Sequence, residues 1–117
     1  MDKKFKLAAR DIREVATGHG GCIATDMITV DGKRIRFMYR ETPSSELDSG
    51  WRFLSGYESD EYMSNADNHA VYDVNTIANY DRDIVPFLNA PVGSAFERPE
   101  GDVFVPVDLA PTSQTLH

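Results

Sequence analysis

Alternating side chains in residues 22–41, CIATDMITVDGKRIRFMYRE, give the clearest structural pattern in the chain. In the second half of this segment Ile35, Phe37 and Tyr39 stand among Arg34, Arg36 and Arg40. A period of two puts one set on each face of a β-strand, so this half predicts a strand with one solvent-exposed face. Asp31-Gly32 separates it from a β-rich first half, and such a dipeptide favours a tight hairpin turn. The segment therefore predicts an antiparallel pair of strands.

Two other segments predict helices. Residues 5–21, FKLAARDIREVATGHGG, have apolar residues near helical spacing and end in glycines. This pattern predicts an amphipathic helix over residues 4–17, with GHGG as its C-terminal cap. Asp73 is a good N-cap for a later helix that carries Ile77 and Tyr80, and Pro86 interrupts the turn that follows.

The remaining strand signals are short. They are WRFLS (51–55), AVYDV (70–74), residues 92–97 and residues 103–105, with RPEG as the turn between the last two. Together the elements predict an α+β fold: an antiparallel sheet of about five strands, with an N-terminal helix and one or two short helices packed on it.

Length and composition fit one globular domain. The chain has 117 residues, of which 41% are hydrophobic and 26% charged. It lacks an apolar run long enough to cross a bilayer, and Asp11 and Arg13 stand where the apolar core of a signal peptide would lie. A single cysteine, Cys22, forms no internal disulfide. The sequence predicts a cytoplasmic protein with no membrane association.

Charge is divided unevenly along the chain. Residues 1–40 carry nine Lys/Arg and five Asp/Glu, whereas residues 41–117 carry three and fourteen. A strongly acidic surface disfavours nucleic acid, because phosphates need Lys and Arg opposite them. The same surface attracts positively charged molecules. We therefore expect a basic protein, and no nucleic acid, as the partner of the acidic part.

One segment combines this charge with large rings. Residues 48–63, DSGWRFLSGYESDEYM, hold the only tryptophan of the chain. In one interpretation, favoured by strand periodicity, Trp51 and Phe53 fill the core face of a strand while Arg52 points away from it. In the other, Trp51 or Tyr57 is a partly exposed anchor of the type enriched at interface hot spots. The predicted partner-binding residues are Trp51, Arg52, Tyr57, Glu58, Asp60, Glu61 and Tyr62.

Catalytic and metal-binding patterns are weak. His19 and Cys22 lack a metal-ligand spacing and an evident third orienting group, and GHGG lacks the phosphate-loop pattern. An acidic cluster could bind a divalent cation, but it does not fit the spacing of a calcium loop. Its members are Glu58, Asp60, Glu61, Asp67 and Asp73. The sequence predicts neither an enzyme nor a cofactor.

A family resemblance rests on four segments: MYRE (38–41), DSGWRFLSGYESDEYM (48–63), YDVNTIANYD (72–81) and PVGSAFER (91–98). With these segments the chain resembles the immunity protein 33 family, earlier catalogued as domain of unknown function 2185, from about Cys22 to Val105. The resemblance divides the chain into an N-terminal helix outside the family core (1–20), an immunity protein 33-like α+β domain (21–106) and a C-terminal tail (107–117).

The resemblance implies a bacterial immunity protein that neutralises a cognate toxin by stoichiometric binding. It supplies no catalytic residues, and the acidic, aromatic segment is the expected contact surface. The alternative is a housekeeping module that binds a small molecule or regulates an enzyme, with the surface from Trp51 to Tyr62 forming its pocket.

Overall fold

A single sheet organises the chain in the computed structural model, which describes residues 3–99 and 103–108. The strands are β1 (Gly21–Thr25), β2 (Phe37–Arg40), β3 (Asp48–Leu54), β4 (His69–Asp73), β5 (Ala95–Glu97) and β6 (Val105–Pro106). The α-helices of the described residues are α1 (Asp26–Thr29), α2 (Asp60–Ser64) and α3 (Val74–Tyr80). Short 3-10 turns cover Ala9–Asp11, Ala66–Asn68 and Arg82–Phe87.

The strand order is β4-β1-β3-β2-β5-β6. Neighbouring strands are antiparallel except β1 and β3, which run parallel at the centre of the sheet. The predicted α+β class is confirmed, with six described strands instead of about five. The parallel pair is a departure from the expected antiparallel sheet, and it arises because β3 inserts between β1 and β2.

The two faces of the sheet have different environments. On the first face Ala24, Met38 and Phe53 are cross-strand neighbours and are fully buried. They belong to a core that also contains Ile77 of α3 and Ile84 of the Arg82–Phe87 turn. On the second face one cross-strand row is formed by Val71, Ile23, Arg52 and Tyr39. Side-chain parity thus sends the large apolar groups of β3 to the first face and its arginine to the second.

The predicted hairpin at Asp31-Gly32 is wrong. Residues 26–29 form α1, and the amides of Asp31 and Gly32 return to the carbonyls of Asp26 and Ile28 at 3.0 and 3.1 Å. Gly32 has a φ of +77°, the left-handed conformation that commonly ends a helix. The dipeptide therefore terminates a helix, and β2 pairs with β3 and β5 instead of β1.

The predicted N-terminal helix over residues 4–17 is also wrong, since only the 3-10 turn Ala9–Asp11 forms there. The segment lies along α3, where two asparagine side chains bind its backbone. Asn75 Oδ1 accepts from the amides of Val15 and Ala16 at 2.8 Å, and Asn79 Oδ1 accepts from the Arg13 amide at 2.9 Å. These bonds replace intrahelical ones, and GHGG consequently does not cap a helix.

Several shorter predictions agree with the structure. WRFLS lies in β3 apart from its last residue, AVYDV overlaps β4, and the Asp73 side chain caps α3 by accepting from the Asn75 amide at 2.8 Å. The strands predicted over 92–97 and 103–105 appear as β5 and β6 with shifted bounds. The second half of the RPEG turn, and the predicted tail beyond Asp108, lie outside the described residues. Within the described ranges, every helix is too short or too polar to cross a bilayer.

Candidate functional site

Trp51 lies in the core. Its side chain has no exposed surface, its ring stacks on Phe53 with centroids 6.1 Å apart, and its indole Nε1 donates to the Leu88 carbonyl at 3.1 Å. The interpretation of Trp51 and Phe53 as the core face of a strand is confirmed. A fully buried ring cannot touch a partner while the fold is intact, so Trp51 contributes to the stability of the strand and not to direct binding.

Arg52 points to the second face, yet its side chain is only 8% exposed. Its Nη1 and Nη2 donate to the two carboxylate oxygens of Asp48 at 2.9 and 2.8 Å, and its Nε donates to Glu41 at 2.6 Å. The bond from Arg52 holds the pKa of Asp48 far below its usual range. Both residues are therefore ionised, and the arginine charge is matched inside the molecule.

Glu58 shapes the turn after β3. Its carboxylate accepts from the amides of Ser55 and Gly56 at 2.8 and 2.9 Å and from the Thr25 hydroxyl. Burial by itself raises the pKa of Glu58, but the hydrogen bonds from Ser55 and Thr25 outweigh burial, and the net shift is downward. Glu58 is thus an ionised group whose oxygens are already occupied by the loop that it stabilises.

The exposed part of the predicted site is the stretch from Tyr57 to Tyr62, which we call the acidic loop. Tyr57 is 64% exposed, and the Lys33 Nζ lies 5.3 Å from the centroid of its ring. Asp60 and Glu61 are exposed in the first turn of α2, and neither forms an ion pair with the described residues. Their charges are available to an incoming molecule.

Tyr62 links the acidic loop to a second source of negative charge. Its hydroxyl donates to the Asn68 carbonyl at 3.5 Å, and burial followed by the charge of Asp26 raises the pKa of Tyr62. Asp26 and Asp31, which act on Tyr62 through space, come from α1 and the turn after it. These two carboxylates lie outside the segment singled out in the sequence, because no local pattern shows that they act on Tyr62 in the fold.

Reactive groups do not converge in the described part of the chain. Its acidic, histidine and cysteine side chains form no group of three that could hold a metal ion. Burial, followed by the charge of Asp73, strongly raises the pKa of the Cys22 thiol, which is 1% exposed. A protonated, buried thiol is a poor nucleophile.

The family comparison covers most of the molecule described above. The family model described as the immunity protein Imm33 domain matches residues 22–108, from the first buried residue of β1 to just beyond β6. The chain belongs to the Imm33 family of immunity proteins. No curated protein and no solved structure matches the chain.

The matched range places both ends of β3 within the Imm33 domain. The acidic loop follows the C-terminal end of β3, and Asp48, the partner of Arg52, is the first residue of β3. Of the predicted partner-binding residues, the structure exposes Tyr57, Asp60 and Glu61, partly buries Glu58 and Tyr62, and buries Trp51 and Arg52. Partner binding by any of them stays a prediction.

The Imm33 domain also carries a groove on the second face of the sheet, which sequence patterns did not indicate. This groove, here called the β1–β4 groove, has a volume of about 500 Å³. It lies over the paired strands β1 and β4, beside the loop that precedes β3, and its lining includes Gly21, Ile23, Leu47, Asp48, Val71 and Asp73. Three segments far apart in sequence form it, so no short motif could reveal it.

Proposed function

We propose that the chain protects a bacterial cell by binding a cognate toxin stoichiometrically in the cytoplasm, without catalysis. Membership of the Imm33 family gives the immunity role. The observation that supports a binding surface is the acidic loop, where Asp60 and Glu61 stand unpaired beside the exposed ring of Tyr57. An acidic surface of this kind suits a basic toxin.

The acidic loop combines two features of protein interfaces. An exposed tyrosine offers a rigid contact area with a polar end, and such residues are enriched in interface cores. Unpaired carboxylates attract a basic partner over a distance and raise the rate of encounter. Across such interfaces, close charge pairs couple by about 1.5–7 kcal/mol. The formal charge of −7 extends the attraction beyond the loop itself.

The internal bonds of the loop support the same role. Ser59 caps α2 by accepting from the Tyr62 amide at 3.0 Å, and Glu58 fixes the preceding turn. A surface that is ordered before binding loses less conformational entropy when the complex forms. Buried Trp51 anchors β3, the strand from which the loop extends.

Growth rescue tests the proposal. Candidate toxins encoded beside the gene for this chain are expressed in a bacterial host with the chain and, as a control, with the chain carrying Asp60→Lys and Glu61→Lys. We expect the unaltered chain to restore growth and to elute with the purified toxin as a complex of fixed stoichiometry. The altered chain should fold but protect poorly. Absence of both rescue and complex with the unaltered chain would refute the proposal.

The alternative, a module that binds a small molecule, is favoured by one observation. Tyr57 and Glu58 line a second groove of about 500 Å³, together with Phe37, Leu54 and Glu97, and this volume is within the range of small-ligand sites. A thermal-shift screen with metabolites and Ca²⁺ separates the two functions. A rise of several degrees in melting temperature with one small ligand would favour the alternative, because a ligand that binds only the native state stabilises it.

A further inference from the structure

The β1–β4 groove has apolar side chains at its edges that point into solvent. Leu47 is 82% exposed and Val71 is 74% exposed, which makes them the two most exposed large hydrophobic residues described. Gly21 is close to both residues, since an added Cβ there would be 3.8 Å from Val71 Cγ1 and 3.2 Å from the backbone carbonyl oxygen of Leu47. A glycine at this position leaves the surface beside the Val71 side chain open.

Charge at the groove is negative overall. Its charged lining residues are two carboxylates, Asp48 and Asp73, and one base, Arg52. The charge of Arg52 is already paired with Asp48 and with Glu41, which lies outside the groove. Asp73 uses Oδ1 to cap α3, while its Oδ2 receives no hydrogen bond from the described residues. One carboxylate oxygen at the groove therefore remains available to a donor from outside.

We propose that the β1–β4 groove receives a lysine or arginine side chain of the cognate toxin, with its aliphatic stem between Leu47 and Val71 and its charged end at Asp73. Long basic side chains commonly bury their stems on apolar surface while the charge meets an acceptor. This inference rests on the proposed function, because the partner is the same toxin. It adds a second contact and names the chemistry of that contact.

The position of the groove separates this contact from the acidic loop. Asp48, at the start of β3, lines the groove, whereas the acidic loop follows Leu54 at the end of β3. A strand of this length spans about 20 Å, at roughly 3.3 Å per residue. Gly21 pairs with both Asp48 and Asp73, so the Asp73 end of the groove lies at the start of β3 and can be altered separately from the acidic loop.

Two groove variants have matched controls at the opposite edge of the sheet. Val71→Lys adds a positive charge at the groove, and Val103→Lys adds the same charge at a valine that is 72% exposed near β6. Asp73→Asn removes a negative charge but keeps a good N-cap, and Asp108→Asn removes the same charge from an exposed residue beyond β6. Leu47→Ser, in a loop, changes the groove without altering a strand.

Surface plasmon resonance with the purified toxin identified by growth rescue measures binding by each variant, after thermal melting has shown that the variant folds. We expect Val71→Lys, Asp73→Asn and Leu47→Ser to weaken binding about tenfold, mainly through faster dissociation. The Val103 and Asp108 variants should bind like the unaltered chain. Unaltered binding by all three groove variants would overturn the groove contact and leave the immunity proposal standing. If the unaltered chain itself does not bind, both proposals fail.

Discussion

Arg52 and Asp48 form a two-bond ion pair across four residues of β3, with Nη1 to Oδ1 at 2.9 Å and Nη2 to Oδ2 at 2.8 Å. The third guanidinium nitrogen, Nε, donates to Glu41, and Nη1 also donates to the Trp51 carbonyl at 3.0 Å. Parallel bonds of this kind fix the plane of the guanidinium as well as its position. Asp48 Oδ2 also accepts from the amide of Ser44 in the preceding loop at 2.8 Å, so the pair is joined to that loop, and both members line the β1–β4 groove.

Removing one member of this pair should lower the free energy of unfolding strongly, because it leaves a buried charge without its main partner. Asp48→Ala leaves a largely buried guanidinium with Glu41 as its remaining carboxylate partner, and we expect a loss of about 3 kcal/mol in the free energy of unfolding. The double variant Asp48→Ala/Arg52→Met should lose less than the sum of the single losses, because the buried guanidinium is gone and the Glu41 carboxylate that loses its partner is half exposed to water. Urea unfolding of the three variants measures the coupling.

The ion pair of Lys3 and Asp26 is the control for this cycle. Its Nζ–Oδ1 distance is also 2.8 Å, but its side chains are 26% and 21% exposed. We expect Lys3→Met to change the free energy of unfolding by less than about 1 kcal/mol, because water screens and competes for the charges. Equal losses at the two sites, or strict additivity at Arg52 and Asp48, would show that burial of the pair does not matter.

Strand periodicity predicted the central strand well and the beginning of the chain poorly. Trp51 and Phe53 alternate with Arg52, and this pattern suffices because one face of β3 meets the core. The N-terminal segment also has apolar spacing, but its amides find Asn75 and Asn79 on α3. Local patterns contain no information about such distant acceptors, and tertiary contacts override helix propensity.

The candidate site was predictable only where exposure follows from local sequence. Clustered carboxylates correctly indicated exposure of Tyr57, Asp60 and Glu61, but the sequence analysis did not predict that Asp60–Ser64 forms α2. The internal role of Glu58 was missed, since its partner Thr25 is 33 residues away. The β1–β4 groove was missed for the same reason, because its walls come from three separate segments. The role of Glu58 and the groove both depend on which strands are neighbours in the sheet, and the sequence of a single strand does not determine that order.

Trp51 and Tyr57 should separate stability from binding. Trp51→Ala removes a fully buried ring and the bond to the Leu88 carbonyl, and we expect it to lower the free energy of unfolding by about 3–5 kcal/mol. Tyr57→Ala removes a ring that is 64% exposed and should change stability by no more than about 0.5 kcal/mol while weakening toxin binding. Chemical unfolding and toxin titration are measured on both variants. A stable Trp51→Ala protein would contradict the core position of the ring.

Glu58 should make the free energy of unfolding decrease at acid pH. Its folded-state pKa is below the ordinary value of 4.5, so the unfolded chain takes up the proton first as the pH falls. The stabilisation is complete above pH 4.5 and is lost as the pH falls through the folded-state pKa. Glu58→Gln should lower the free energy of unfolding by about 1–3 kcal/mol at neutral pH, because an amide cannot accept all three hydrogen bonds. The free energy of unfolding of this variant should also fall less steeply as the pH is lowered.

The control for this prediction is Glu61→Gln. Glu61 is exposed, and its carboxylate receives no hydrogen bond from the described residues, so the substitution should leave the acid slope as it is. Urea unfolding at a series of pH values between neutral and acid gives the slopes. If Glu58→Gln kept the slope of the unaltered chain, the carboxylate would not be acting through its hydrogen bonds.

Charge reversal in the acidic loop should act on the rate of encounter. Asp60→Lys/Glu61→Lys should slow association with a basic toxin and flatten the dependence of that rate on salt, because the two exposed carboxylates no longer attract it. Thermal stability should change little at these positions. Stopped-flow association at several salt concentrations measures the effect.

The control is Glu14→Lys/Asp108→Lys, which changes the net charge equally at two other exposed positions. A rate lowered equally by both double variants would mean that net charge alone steers the toxin, and that the acidic loop has no special place in the interface.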